Sequence, residues 1–168
     1  FSDLDGTLLN KEGKVSKYTC NIVKKLVDEG HVFVIITARR PERSIDIYKQ
    51  LGLKHVLCNL NGAYIWNPKD ILFDPINLCF SSDVAIKILS SKRILRYVSN
   101  FAVQNHEGTY VRYLPADKDA PKDLFMFNVG PEQRIIKCNA DFSNVKRVDC
   151  QNILLQVKDN NKENMEKL

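Results

Sequence analysis

The sequence predicts an α/β protein built on a doubly wound parallel sheet, followed by an α+β module. Three observations predict this class. Strand-like and helix-like segments alternate over residues 1–58, a continuous apolar run occupies Val32–Ile36, and strand-like segments dominate after residue 62. An unbroken apolar run is typical of a strand covered on both faces, as in a parallel sheet. The alternation β-α-β-α-β is the order of elements in a doubly wound sheet.

The elements of the first module follow directly from the apolar spacing. Ser16 can cap a helix whose apolar face repeats at helical intervals, and Gly30 is a natural place for that helix to end. Pro41 stands where a second helix can begin, and Gly52 follows its last apolar residue. The predicted elements are a strand end at 1–5, a helix at 17–29, a strand at 32–36, a helix at 41–51 and a strand at 56–58.

The pattern changes after Asn61-Gly62. Two apolar segments, 63–66 and 71–73, flank Asn67-Pro68-Lys69-Asp70, and this arrangement predicts a hairpin. A helix-strand-strand order then occurs twice, which predicts an α+β module. The remaining predicted elements are a helix at 82–92, strands at 95–104, 109–114 and 124–129, a helix at 131–140, and paired strands at 145–148 and 153–157.

Composition restricts the class of protein. With 168 residues, 44% of them hydrophobic, the chain suits one domain or one domain with a small insertion. Its longest apolar run is far below the roughly 20 residues of a membrane span, so no membrane partner is predicted. The net charge of +5 is spread along the chain, which favours phosphorylated substrates over nucleic acid. Five cysteines without a CxxC pair predict free thiols in a reducing, cytoplasmic compartment.

Two carboxylates stand two positions apart at the end of the first predicted strand, Asp3 and Asp5, with Gly6 and Thr7 after them. Such neighbours repel each other unless a cation lies between them, and oxygen ligands suit Mg²⁺, which prefers to share its shell with a phosphate. An ionised Asp beside a phosphoryl group is a nucleophile. The pattern predicts an aspartyl-phosphate on Asp3, Asp5 as general acid and base, and Mg²⁺ held by the Asp3 carboxylate and the Asp5 backbone carbonyl.

A candidate phosphate site follows the apolar strand. Thr37 supplies a hydroxyl and the loop at Ala38 supplies amides, and both can donate to phosphate oxygens. Because the carboxyl ends of parallel strands meet at one edge of an open sheet, Asp3 and Thr37 are expected to lie together. Lys162, before a predicted final helix, is a third candidate, as a point charge for the phosphate and for Asp3.

The remaining charged and titratable residues do not form a pattern that indicates a functional site. Arg39 and Arg40 are interpreted as surface charges rather than ligands. The three histidines are scattered without the spacing of metal ligands, so solvated or capping roles are the default. The first strand begins only two residues before Asp3, and the last residues have the pattern of an opening helix, so we expect the sequence to be a fragment.

These motifs resemble those of the haloacid dehalogenase (HAD) superfamily of phosphatases, specifically the Cof-type branch with a C2-type cap. The resemblance is carried by Asp3-Leu4-Asp5-Gly6-Thr7-Leu8-Leu9, Ile36-Thr37-Ala38-Arg39 and Asn61-Gly62-Ala63. The family usually has Gly where this chain has Ala38, and commonly has Gly after the lysine that Lys162 would match. The resemblance implies a Rossmann-like core at 1–74, an inserted α+β cap at 75–157, and a return to the core from 158 to 168.

The same resemblance implies a function. It implies a Mg²⁺-dependent hydrolase acting on sugar phosphates and other small phosphomonoesters, with the family's acidic fourth motif, a source of further Mg²⁺ ligands, falling after Leu168. Two alternatives stay open: a sugar phosphomutase of the same superfamily, and a non-catalytic binding or regulatory module. The sequence leaves the physiological substrate and the oligomeric state open.

Overall fold

The computed structural model describes residues 1–112, 135–138, 149–158, 163 and 166. They fall into two compact units, Phe1–Leu78 and Cys79–Leu168, each with its own apolar core. Among these residues, no helix combines the length and apolar character needed to cross a bilayer. The helices are α1 (Lys17–Asp28), α2 (Ile45–Gln50), α3 (Ser82–Leu89) and α4 (Lys92–Tyr97). The strands are β1 (Ile35–Ile36), β2 (Leu57–Asn59), β3 (Tyr64–Trp66), β4 (Ile76–Asn77), β5 (Phe80–Ser81), β6 (Val98–Gln104), β7 (Thr109–Arg112), β8 (Ile135–Cys138), β9 (Asp149–Cys150) and β10 (Asn152–Val157).

The first unit contains the predicted parallel arrangement. Ser2 bridges in parallel to Ile35 of β1, and β1 pairs in parallel with β2, where Ile35 lies opposite Leu57. The helix α1 separates Ser2 from β1, and α2 separates β1 from β2. The sheet then becomes mixed, because β3 and β4 add to it in antiparallel fashion, in the order β1-β2-β3-β4. The α/β class predicted from the sequence is therefore confirmed.

Capping and burial explain α1. The Ser16 hydroxyl accepts a hydrogen bond from the Thr19 amide at 3.0 Å, which satisfies one of the amides left open at a helix start. Cys20 and Val23 face the core of this unit, where Leu4, Ile35 and Leu57 are fully buried. The helix ends within one residue of its predicted boundary.

The predicted hairpin between 63–66 and 71–73 is wrong in its second strand. Residues 71–73 form turns, with the Leu72 amide donating to the Asp70 carboxylate at 3.0 Å, and Ile71 is 96% exposed. The partner of β3 is β4, which begins at Ile76, three residues after the predicted segment ends. The Asp70 side chain satisfies a backbone amide locally, so the chain turns there instead of continuing as a strand. Because β4 belongs to the first sheet, the first unit extends to Leu78.

The second unit is α+β, with strands in the order β10-β6-β7-β8 and a separate pair, β5 with β9. The helix predicted at 82–92 ends at Leu89, and α4 occupies the start of the strand predicted at 95–104. The helix predicted at 131–140 is wrong at 135–138, which form β8 and pair in parallel with β7, because ladder pairing overrides weak local propensity there. The strands predicted at 124–129 and 145–148 lie outside the described residues. The boundaries at 74/75 and 157/158 and the cap assignment stay predictions.

Tyr48 joins the core of the first unit to the loop before β2. Its ring is fully buried, and its hydroxyl donates a hydrogen bond to the His55 carbonyl at 2.7 Å. Burial raises the pKa of Tyr48 to about 12, from an ordinary value of 10.0. The folded protein therefore holds this proton more tightly than the unfolded chain does.

The first testable consequence concerns Tyr48→Phe. Below pH 10 the variant is expected to be less stable by about 1 kcal/mol, because the hydrogen bond from the buried Tyr48 side chain to the His55 carbonyl is lost. A raised folded-state pKa stabilises the fold below the unfolded pKa, and this stability is lost as pH rises from 10.0 towards 12. The gap between wild type and variant is therefore expected to close over that window in denaturant melts. A gap that stays constant from pH 8 to pH 11 would contradict this account.

Candidate active site

The candidate site lies where two neighbouring parallel segments of the first sheet end. The Ser2 amide donates to the Val34 carbonyl at 3.0 Å, and the Ile36 amide donates to the Ser2 carbonyl at 2.9 Å. These two bonds fix the register, so that Asp3 follows one segment directly and Thr37 follows the other. The carboxyl end of parallel strands is the usual ligand edge of an α/β sheet. The structure therefore brings these two predicted site residues to one edge.

A tight turn shapes the loop that carries both aspartates. Leu4 is fully buried, whereas Asp3 and Asp5 on either side of it are exposed. The chain then reverses at Gly6, whose φ of 77° lies in the left-handed region, and the Leu9 amide closes the turn on the Leu4 carbonyl at 2.9 Å. A side chain at Gly6 would meet no neighbour within 4 Å, so glycine is required there by backbone conformation and not by space.

Arg39 binds the Asp5 carboxylate through two parallel hydrogen bonds. Its Nε donates to Oδ2 at 2.7 Å and its Nη2 donates to Oδ1 at 2.6 Å. This fork-to-fork geometry is the strongest arrangement available to an arginine and a carboxylate. It links the loop that follows Ser2 to the loop that follows β1, across 34 positions of sequence.

The charge of Arg39 changes the acidity of Asp5. The hydrogen bonds from Arg39 lower the pKa of the Asp5 carboxyl below its ordinary value of 3.8, and the charges of Arg39 and Arg43 add to that effect against the opposing effect of partial burial. Asp5 is therefore ionised at neutral pH in this arrangement. A carboxylate is the form that accepts a proton from water, whereas donation to a leaving group needs the protonated form.

The interpretation of Arg39 and Arg40 as surface charges is wrong. The Arg39 side chain is only 16% exposed and the Arg40 side chain only 4%, and Arg40 forms an ion pair with Glu42 at 2.6 Å. Arginine is commonly exposed unless it is paired, and both residues are paired here. No local spacing in the sequence marks the partner of Arg39, since the Asp5–Arg39 contact comes from the parallel pairing of two segments that are distant in sequence.

A buried amide at Asn59 supports the Arg39 loop. Asn59 is fully buried at the end of β2, and its Nδ2 donates to the Arg39 carbonyl at 2.9 Å and to the Ser44 hydroxyl at 2.8 Å. Its Oδ1 accepts a hydrogen bond from Trp66 Nε1 at 2.9 Å. Asn59 was not among the site residues predicted from the sequence. The signal available was an asparagine directly after an apolar strand, a position where a polar side chain is buried only when it is satisfied.

The other predicted phosphate ligands differ in how they are placed. The Thr37 side chain is 2% exposed, and its hydroxyl oxygen accepts a hydrogen bond from the Arg39 amide at 3.2 Å, which leaves the hydroxyl hydrogen able to donate. Ala38 is exposed beside it. The loop after β2 meets the same edge, since the Asn61 amide donates to the Thr37 carbonyl at 2.9 Å. Lys162 lies outside the described residues.

The donors predicted for Mg²⁺ are the exposed Asp3 carboxylate and the backbone carbonyl of Asp5. Both are oxygens, which fits the chemistry of a hard cation that keeps several waters. The Asp5 carboxylate itself is engaged by Arg39. Within the described part of the chain, no group of three or more His, Cys, Asp or Glu side chains is placed to hold a metal. Asp3 and Asp5 therefore offer two oxygen ligands that suit Mg²⁺ and would form part of a larger set of ligands.

The chain belongs to a known family. Residues 1–168 match the family model of haloacid dehalogenase-like hydrolases, and the chain is a member of that family. The resemblance that the sequence motifs implied is thereby confirmed.

Individual relatives agree with this assignment. A Metamycoplasma hominis protein named "Putative phosphatase in upp 3'region" is 33% identical over 128 residues, covering 75% of this chain and 44% of the relative. A haloacid dehalogenase-like hydrolase from Bacillus subtilis has a solved structure with a TM-score of 0.69 and 23% identity, covering 98% of this chain and 62% of that one. The HAD subclass IIB sugar phosphatase BT4131 has a TM-score of 0.61 and 14% identity, covering 88% of this chain and 54% of that one. The chain thus spans about half the length of these proteins.

The Asn59 network generates a stability test. Asn59→Ala is expected to destabilise the protein by roughly 2–4 kcal/mol, because the Arg39 carbonyl, the Ser44 hydroxyl and the Trp66 ring nitrogen each lose a buried partner. Denaturant melts measure the loss. Asn21→Ala, at an exposed position of α1, is the matched control and is expected to change stability by less than about 0.5 kcal/mol. Equal effects at the two positions would contradict the supporting role of Asn59.

Proposed function

We propose that the protein containing this chain is a Mg²⁺-dependent phosphatase that hydrolyses small phosphomonoesters through an aspartyl-phosphate on Asp3. One observation carries the proposal: the parallel pairing of Ser2 with β1 puts an exposed Asp3 at the same sheet edge as Thr37. A carboxylate nucleophile beside phosphate-binding donors is what phosphoryl transfer requires. Membership of the haloacid dehalogenase-like hydrolase family supports it.

The first half of the reaction transfers the phosphoryl group to the enzyme. An Asp3 carboxylate oxygen attacks phosphorus in line, the bond from phosphorus to the leaving oxygen breaks, and a mixed anhydride forms on Asp3. Protonated Asp5 donates its proton to the leaving oxygen. The Thr37 hydroxyl and the amide at Ala38 donate hydrogen bonds to the phosphate oxygens, and Lys162 adds positive charge.

The second half restores the enzyme. A water molecule attacks the phosphorus of the acyl-phosphate, and the Asp5 carboxylate accepts a proton from that water. The bond between phosphorus and Asp3 breaks, inorganic phosphate is released, and Asp3 is again a free carboxylate. Asp5 is a carboxylate once the leaving group has taken its proton, and the ion pair with Arg39, which lowers the pKa of this carboxyl, favours that form until the water gives up its proton. Asp5 thereby ends the cycle protonated and ready to act as the acid in the next one.

The Asp3 carboxylate and the Asp5 backbone carbonyl would hold Mg²⁺ in this scheme. When bound, the ion supplies charge neutralisation for the nucleophile and the phosphoryl oxygens, which otherwise repel each other. The oxygen character of both donors supports this choice of ion.

One structural neighbour and the net charge of the chain support a proposal for the substrate class. We propose a small phosphorylated metabolite of the sugar-phosphate kind, since one structural neighbour is a sugar phosphatase and the net charge of +5 attracts anions. The C2-type cap predicted at 75–157 would select the substrate. Neither nucleic acid nor membrane enters the proposal, and the proposed location is the cytoplasm.

The nucleophile is tested by Asp3→Asn in the complete gene product, assayed with 4-nitrophenyl phosphate. Turnover is expected to fall on the order of 10⁴-fold or more, because an amide cannot form the acyl-phosphate. Asp46→Asn, an exposed residue of α2, is the matched control and is expected to keep full activity. Turnover retained in Asp3→Asn, with its melting curve unchanged, would remove the basis of the proposal.

Metal removal and acceptor choice form a separate test. EDTA treatment is expected to abolish phosphate release, and Mg²⁺ to restore it, whereas Ca²⁺ is expected to fail because it favours a larger and less regular oxygen shell. Running the same assay with added hexose phosphate as acceptor separates water from sugar as the group that accepts the phosphoryl. Transfer to sugar in preference to water would favour the phosphomutase alternative, and activity in EDTA would exclude Mg²⁺.

A further inference from the structure

Arg39 uses all of its guanidinium nitrogens for contacts within the protein. Two of them hold Asp5, and the third, Nη1, donates to the Arg43 carbonyl at 3.1 Å. All three nitrogens of this guanidinium therefore already donate to a carboxylate or a carbonyl of the protein. This differs from an arginine that presents its fork to an incoming phosphate.

The rest of the protein constrains Arg39 more than it constrains Asp5. The backbone around Arg39 is fixed at three points: its amide donates to Thr37 Oγ1, and its carbonyl accepts from Asn59 Nδ2 and from the Leu60 amide. The Arg39 side chain is 16% exposed, whereas that of Asp5 is 57% exposed. Arg39 is thus the anchored partner, and Asp5 takes its orientation from it.

We propose that Arg39 is a positioning residue for proton transfer: its fork orients the Asp5 carboxylate, and Arg39 acts on the reaction through Asp5 and not by binding the phosphate. This inference rests on the proposed function, in which Asp5 carries the proton. A general acid or base acts only within hydrogen-bond reach of the proton that it moves, so orientation of the carboxylate sets its efficiency. Free rotation of an exposed aspartate would remove that advantage.

Two substrates with different leaving oxygens distinguish the two roles. Glucose 6-phosphate leaves as an alkoxide that needs a proton, whereas 4-nitrophenyl phosphate leaves as a stable phenolate that does not. In the complete gene product, Arg39→Met is expected to lower kcat/KM for glucose 6-phosphate by about 10–100-fold, a part of the 10²–10⁴-fold that a general acid contributes. The loss for 4-nitrophenyl phosphate is expected to be much smaller. Equal losses on the two substrates would overturn the proposal, since loss of a phosphate ligand affects both alike.

Arg39→Lys separates orientation from charge. A lysine keeps the positive charge but forms no bidentate fork, so it is expected to recover only part of the loss on glucose 6-phosphate. Full recovery would overturn the orienting role. This variant also keeps the test decisive if Arg39→Met melts at a lower temperature, because it preserves the charge beside Asp5.

The decisive measurement is a double-mutant cycle with Asp5→Asn. If Arg39 acts through Asp5, adding Arg39→Met to Asp5→Asn is expected to cause little further loss of kcat/KM. Additive losses would overturn the proposal. Failure of the proposed function gives a different result: Asp3→Asn would then keep its turnover, whatever the Arg39 variants do.

Discussion

The parallel pairing of Ser2 with Ile35 is the constraint on which the candidate site depends. Two backbone hydrogen bonds set this register, and with it the end points of both segments. A register shifted by one residue would turn Asp3 to the other face of the sheet, since side chains alternate along a strand. The Asp5–Arg39 ion pair is a consequence of that register, because it joins the two loops that begin at the same edge.

Hydrogen bonds from a buried polar side chain hold the loop that carries Arg39, which backbone pairing between strands does not reach. Asn59 is fully buried and serves three neighbours, among them the Arg39 carbonyl. Each of these groups costs free energy if it is buried without its partner, so the network favours the observed arrangement of the loop. Within this loop the Arg43 carbonyl accepts a hydrogen bond from the Arg39 guanidinium, which in turn donates to the exposed Asp5. The orientation of Asp5 therefore depends on a series of hydrogen bonds that begins at the buried Asn59, and not on apolar packing.

The sequence predicted those elements of the fold that depend on the spacing of apolar residues within a short segment. The helix α1 and the alternation of the first unit followed from apolar periodicity. The placement of Asp3 and Thr37 at one sheet edge followed from the topology of parallel sheets. The second strand of the predicted hairpin failed because a local turn at Asp70 competes with strand pairing, and 135–138 failed because ladder pairing decides a short apolar segment. The burial of Arg39 could not be predicted, since its partner is distant in sequence and a charge is buried only through such a partner.

The spacing of the two aspartates is itself a physical requirement of this edge. Leu4 between them is fully buried, so the chain must place one residue in the core and the residues on both sides towards solvent. One residue more or less between the carboxylates would direct one of them into the core, where an unpaired charge is strongly unfavourable. The alternation thus gives the pair a common face, and their different partners give them different roles: Asp3 is exposed at the sheet edge, and Asp5 is held by Arg39. A site of this kind can be encoded within three consecutive residues because the loop that follows the neighbouring strand supplies the arginine.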